Sequence, residues 1–129
     1  MTCFWDSIYQ SLNHSHFQQL EYNRNNNLKA FINHLKNKKT KLSNVTWQNN
    51  PLTQKEIDEH LQAIQEYNVN NIHNGHFTST CDYFLLLLCE LLEIGIDHVY
   101  LGHTIEYRNK KNNTTILKFG SDKGHFFKL

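Results

Sequence analysis

The run Tyr83-Phe84-Leu85-Leu86-Leu87-Leu88-Cys89, closed in by Asp82 and Glu90, constrains this chain more than any other feature. As a helix it is apolar on nearly every side, so other elements must cover it all round. It is also far shorter than the roughly 20 residues that a membrane span needs. The run therefore predicts a buried central helix, with Ser79 as its cap, Asp82 in its first turn and Gly95 as the left-handed residue that ends it. A chain of 129 residues hides enough surface for one core, so a single domain over residues 1–129 is expected.

Three helices are expected before that run. Phe4, Ile8 and Leu12, with Trp5 and Tyr9 beside them, form the stripe of an amphipathic helix. Leu28, Phe31, Ile32 and Leu35 repeat the pattern after the break at Asn25 to Asn27. Thr53 and Glu56 have the spacing of a capping box and open the stripe Ile57, Leu61, Ile64. After Gly95 the period changes. Ile96 to Tyr100, Thr104 to Tyr107 and Thr115 to Phe119 read as strands, and a short one follows from His125 to Lys128. Asn109 to Asn113 and Gly120 to Gly124 read as hairpin turns between them. The expected class is α+β, with helices in the N-terminal two-thirds packed on a small C-terminal antiparallel sheet.

Charge excludes several partners. Lys plus Arg at 13 against Asp plus Glu at 12 leaves a formal charge of +1, which draws neither nucleic acid nor an anionic membrane. The interrupted basic run Lys36 to Lys41 reads as a solvated helix end. With no basic, apolar and small-residue leader at the N-terminus, a cytoplasmic location is expected. The three cysteines, Cys3, Cys81 and Cys89, lack Cys-x-x-Cys spacing and fit neither a disulfide framework nor a zinc site. His14 and His16 point to different faces of a helix, and His73 and His76 have no ligand cluster around them. No metal or cofactor is expected, and phosphate loops and serine elbows are absent. Trp5 reads as core, whereas Trp47 stands in a polar loop from Ser43 to Pro51 and carries no site assignment.

Two residues remain that can carry chemistry together. Cys3 opens the first helix, where unpaired N–H groups and the helix dipole favour a thiolate. His125 stands between Gly124 and Phe126-Phe127 on the last strand, where an imidazole is held rigidly enough to take a thiol proton. Taken singly, Cys3 also fits a small buried residue and His125 an exposed edge histidine. Taken together, Thr2-Cys3-Phe4-Trp5-Asp6-Ser7-Ile8 resembles the nucleophile segment of the ovarian-tumour (OTU) domain cysteine proteases, and Gly124-His125-Phe126 resembles their terminal histidine followed by an aromatic. Other papain-like peptidases share the order Cys, helices, strands, His.

The resemblance implies an OTU-like, papain-like fold over nearly the whole chain, in a minimal form, with a viral type and hence a host-cytoplasm location left open. It implies a cysteine isopeptidase that releases ubiquitin or a ubiquitin-like modifier from lysine, with Cys3 as nucleophile and His125 as general base. Two positions depart from the family pattern. Only Met1 and Thr2 precede Cys3, where the family carries Asp-Gly-x, and Phe127 stands where it carries an acidic residue or Asn. Asp122, Glu106 or the Leu129 carboxylate could orient the imidazole, and a dyad can also suffice. A catalytically silent module that binds ubiquitin on the same fold is the alternative. Thr2 as an N-terminal nucleophile ranks below both.

Overall fold

The computed structural model describes residues 3–24, 27–38, 40–71, 82–112, 114–122 and 125–129. Its first element, α1 (Cys3–Ser11), buries Phe4, Trp5, Ile8 and Tyr9 along the expected stripe. Trp5 meets its hydrogen-bond need by donating Nε1–H to the Tyr67 hydroxyl at 3.0 Å. Asn13 then starts a second, separate helix, α2 (His14–Gln19), because its side chain accepts from the His16 amide while the His16 ring bonds the Asn13 amide. This reciprocal cap divides His14 from α1 and buries His16. In α3 (Leu28–Asn37), capped by Asn27, the residues Phe31, Ile32 and Leu35 are fully buried.

Residues expected as a polar loop form a hairpin instead. Strands β1 (Val45–Trp47) and β2 (Asn50–Pro51) are joined by Gln48 and Asn49, both at positive φ (52° and 67°). Two such residues make the tight turn whose twist matches a two-stranded ribbon. Helix α4 (Gln54–Glu66) follows with the capping box expected of Thr53 and Glu56, bonded in both directions at 3.2 and 2.9 Å.

Helix α5 (Asp82–Leu92) is the packing centre, with Phe84 through Cys89 and Leu92 buried. Its end differs from the expectation. Glu93, not Gly95, takes the left-handed conformation (φ 53°), and the Ile94 amide returns to the Cys89 carbonyl at 3.3 Å. That bond closes the helix by a Schellman-type cap. Gly95 instead opens β3 (Gly95–Tyr100), where an added Cβ would meet the Arg108 side chain at 3.1 Å.

Strands β4 (His103–Asn109), β5 (Ile116–Ser121) and β6 (Phe126–Lys128) complete a six-stranded sheet in the order β2-β1-β4-β3-β5-β6. The class is α+β, but the sheet is mixed. β3 and β5 run parallel, in the register His98↔Phe119 and Tyr100↔Ser121, while every other neighbouring pair is antiparallel. The stretch expected to turn a hairpin between β4 and β5 is therefore a crossover past the start of β3. Among the described residues, bonds from Asn109 Nδ2 to the Cys89 carbonyl (2.9 Å), from the Lys110 amide to the Asn44 carbonyl (2.7 Å) and from the Gly95 amide to the Thr115 carbonyl (2.8 Å) hold it. Alternation puts Ile96, His98, Tyr107, Phe119, Ser121 and Phe126 on the face towards the helices. Asp97, Glu106 and Arg108 lie on the other, where Arg108 pairs with Asp97 at 2.7 Å and with Glu106 at 3.5 Å.

Candidate functional site

The first helix docks on the last strand. The Phe4 and Phe126 rings meet at 4.8 Å, and the Ser7 hydroxyl donates to the Phe126 carbonyl at 3.2 Å. Cys3 is the first residue of α1, directly before Phe4, and His125 directly precedes Phe126. The seam thus brings the two parts of the chain together; the Cys3 side chain itself lies outside the described residues. His125 is exposed and stands in the turn before β6, not in the strand as expected. That turn is closed by two bonds, from the His125 amide to Asp122 Oδ1 (2.9 Å) and from the Asp122 amide to the His125 carbonyl (3.0 Å).

The candidates for orienting the imidazole separate clearly. Asp122 uses a carboxylate oxygen on the backbone of His125. Glu106 is on β4, away from β6 in the strand order, and pairs with Arg108. Leu129 bonds the Lys118 carbonyl through its amide. Among the described residues, no side chain is hydrogen-bonded to the His125 ring. Asp6 occupies the first turn of α1, where its charge stabilises the helix and disfavours a neighbouring thiolate.

A buried polar group that the sequence reading passed over lies next to this seam. His98 is 1% exposed, its Nε2 is 2.6 Å from Ser121 Oγ, and its ring is 5.2 Å from that of Phe126. Its Nδ1 is buried and has no hydrogen-bond partner among the described residues. Burial lowers the imidazole below its ordinary value, and the Asp82 carboxylate acts in the opposite direction. Asp82, the first residue of α5, accepts a 2.5 Å bond from the Tyr107 hydroxyl. One signal was available in the sequence. Ile96, His98 and Tyr100 alternate along one strand, which puts an imidazole among apolar neighbours.

The other residues singled out have simpler places. Cys89 is buried inside α5, and burial pushes its thiol well up. Trp47 belongs to β1, half-covered, and lines a cavity of about 270 Å³ with Leu52 and Glu56. His14 is exposed, whereas Ser79, Cys81, His73, His76 and Gly124 lie outside the described residues. Among the described residues, no group of three His, Cys, Asp or Glu side chains is placed to hold a metal ion. No described helix is long and apolar enough to cross a membrane. No protein-family model, curated protein or solved structure matches this chain.

Proposed function

We propose that the protein is a cysteine isopeptidase of OTU-like, papain-like type, acting on ubiquitin or a ubiquitin-like modifier joined to lysine. The observation that carries this reading is the α1–β6 seam, because Phe4 on Phe126 couples the helix that Cys3 opens to the strand that His125 precedes. In this reading the Cys3 sulfur attacks the isopeptide carbonyl, His125 takes the thiol proton and returns it to the leaving lysine amine, and water releases the modifier. N–H groups in the first turn of α1 stabilise the oxyanion. Labelling with ubiquitin-propargylamide tests it. An adduct mapped to Cys3 is expected, and His125→Ala should lower the labelling rate by about 10²- to 10⁴-fold. An intact chain that leaves the probe untouched would sink the hydrolase.

The exposed His125, with no described side chain on its ring, and Asp6 in the first turn favour a second reading. It is a silent module that binds ubiquitin without cleaving it. Calorimetric titration with ubiquitin separates the two: heat of binding without probe labelling favours the module.

A further inference from the structure

We propose that His98 is an acid-sensitive latch on the α1–β6 seam: the seam stays closed while the ring is neutral, and uptake of a proton releases β6 from its place under α1. The opening goes beyond the Cys3–His125 reading, and only its effect on the labelling of Cys3 rests on that reading.

His98 lies among the contacts that hold the seam. It is 1% exposed, stands between Ile105 of β4 and Phe119 of β5 in the sheet, and has its ring 5.2 Å from that of Phe126. Phe126 also stacks on Phe119 at 5.3 Å and meets Phe4 of α1 at 4.8 Å. Ser121, whose Oγ is 2.6 Å from His98 Nε2, is the register partner of Phe126. One imidazole therefore contacts both Phe126 and the residue paired with it.

The neutral ring suits this place and the cation does not. Nε2 and the Ser121 hydroxyl share one hydrogen bond, while Nδ1 is buried with no partner among the described residues. Protonation puts an N–H on both nitrogens, so Nδ1–H becomes a buried donor of a charged ring with no acceptor. Such a group is costlier to leave unsatisfied than a neutral one. From α5, the Asp82 carboxylate favours the cation, but it is engaged by the Tyr107 hydroxyl of β4 at 2.5 Å, and burial outweighs it. On β3 the Tyr100 ring lies 6.3 Å away, and His103 of β4 is exposed. Lys128, on the same face of β6 as Phe126, is a cation and opposes another. The Asp122 carboxylate after β5 is bonded to the amide of the exposed His125, and α1 presents the apolar Phe4.

The side that yields is β6. It is a three-residue edge strand with Phe127 and Lys128 exposed, paired with β5 alone and tied to α1 by the Ser7 bond. On the other side of β3 the sheet continues through β4 and β1. An open seam lets the ring take a proton at its ordinary value of 6.5, whereas the closed ring is held lower by burial. The open population therefore rises as pH falls through that value, by at most about tenfold per pH unit, and levels off below the closed value.

The test follows the full chain by NMR and hydrogen exchange from about pH 7.5 to about pH 5, with each exchange rate divided by the intrinsic rate at that pH. Protection at β6 and the Leu129 amide should be lower than in α5 throughout, and should fall about tenfold across the range. His98→Gln should remove most of that fall. Because a buried substitution can disturb folding, the native chain gives an independent reading: the Phe126 and Phe4 ring signals should shift together with the His98 ring as it titrates. A His98 ring that titrates while both phenylalanine signals stay fixed would overturn the proposal. So would β6 protection that is constant with pH, or that only tracks α5. Labelling of Cys3 by ubiquitin-propargylamide should survive acid better in His98→Gln than in the native chain. A seam that opens as described in a chain that never labels at Cys3 supports the latch and overturns the isopeptidase.

Discussion

His98 puts an ionisable ring where water does not reach, and that has a measurable effect on stability. Its folded value lies below the ordinary 6.5. Below about pH 6.5 the unfolded chain therefore binds a proton that the folded chain refuses. Stability is full above that value, falls as pH drops, and levels off once the folded value is reached. The slope is at most about 1.4 kcal/mol per pH unit for one such group. His16, also lowered by burial, adds to the same window. Urea melts at about pH 7.5 and about pH 5.5 should show a smaller loss of stability in His98→Gln than in the native chain. Equal losses would assign the whole effect to other groups. The alternation of Ile96, His98 and Tyr100 is the one local sign of this residue, and it does not reveal the partner, since His98 is one of nine histidines and Ser121 is 23 positions away.

Among the elements, α5 and α4 are stabilised by different physics. Leu87 and Leu88 are each 1% exposed in the centre of the core, so Leu88→Ala should cost about 2 to 5 kcal/mol, and Leu87→Ala a similar amount. Helix α4 buries only Ile64 fully and leans on its cap, so Thr53→Ala should cost about 1 kcal/mol. Urea midpoints of the three variants test the contrast; a Leu88→Ala loss below about 1 kcal/mol would move α5 out of the centre. Thr53 and Glu56 were legible because a capping box involves only residues three apart. β1 was not, because Val45-Thr46-Trp47 is short and its Gln48-Asn49 turn lacks the Asn-Gly or Asp-Gly signature. The stop of α5 was misplaced for a similar reason, as a glutamate adopts the conformation for which glycine is the usual sign.

At the scale of the whole molecule, the α1–β6 seam ties the first described residues to the last. Ser7→Ala removes the bond to the Phe126 carbonyl and should cost about 1 kcal/mol. Hydrogen exchange should then quicken at the amides of β6 and Leu129 while α5 keeps its protection. Unchanged β6 exchange would leave the Phe4–Phe126 ring contact as the sufficient tie.

The sequence by itself determined the helices α1, α3, α4 and α5, the span of the strands after Gly95, and the α+β class, because caps, stripes and alternation are settled within a few residues of one another. It also singled out Cys3 and His125 as candidates, through the chemistry of a helix start and a short resemblance. The mixed sheet, with β3 parallel to β5, was decided only in three dimensions. Strand order depends on which distant segments bury each other's faces, and local hydrogen bonds do not encode it. The β3–β5 pairing placed Ser121 beside His98, and the docking of α1 on β6 placed Phe126 under Phe4, so the surroundings of His98 and of the α1–β6 seam come from contacts between residues far apart in the chain.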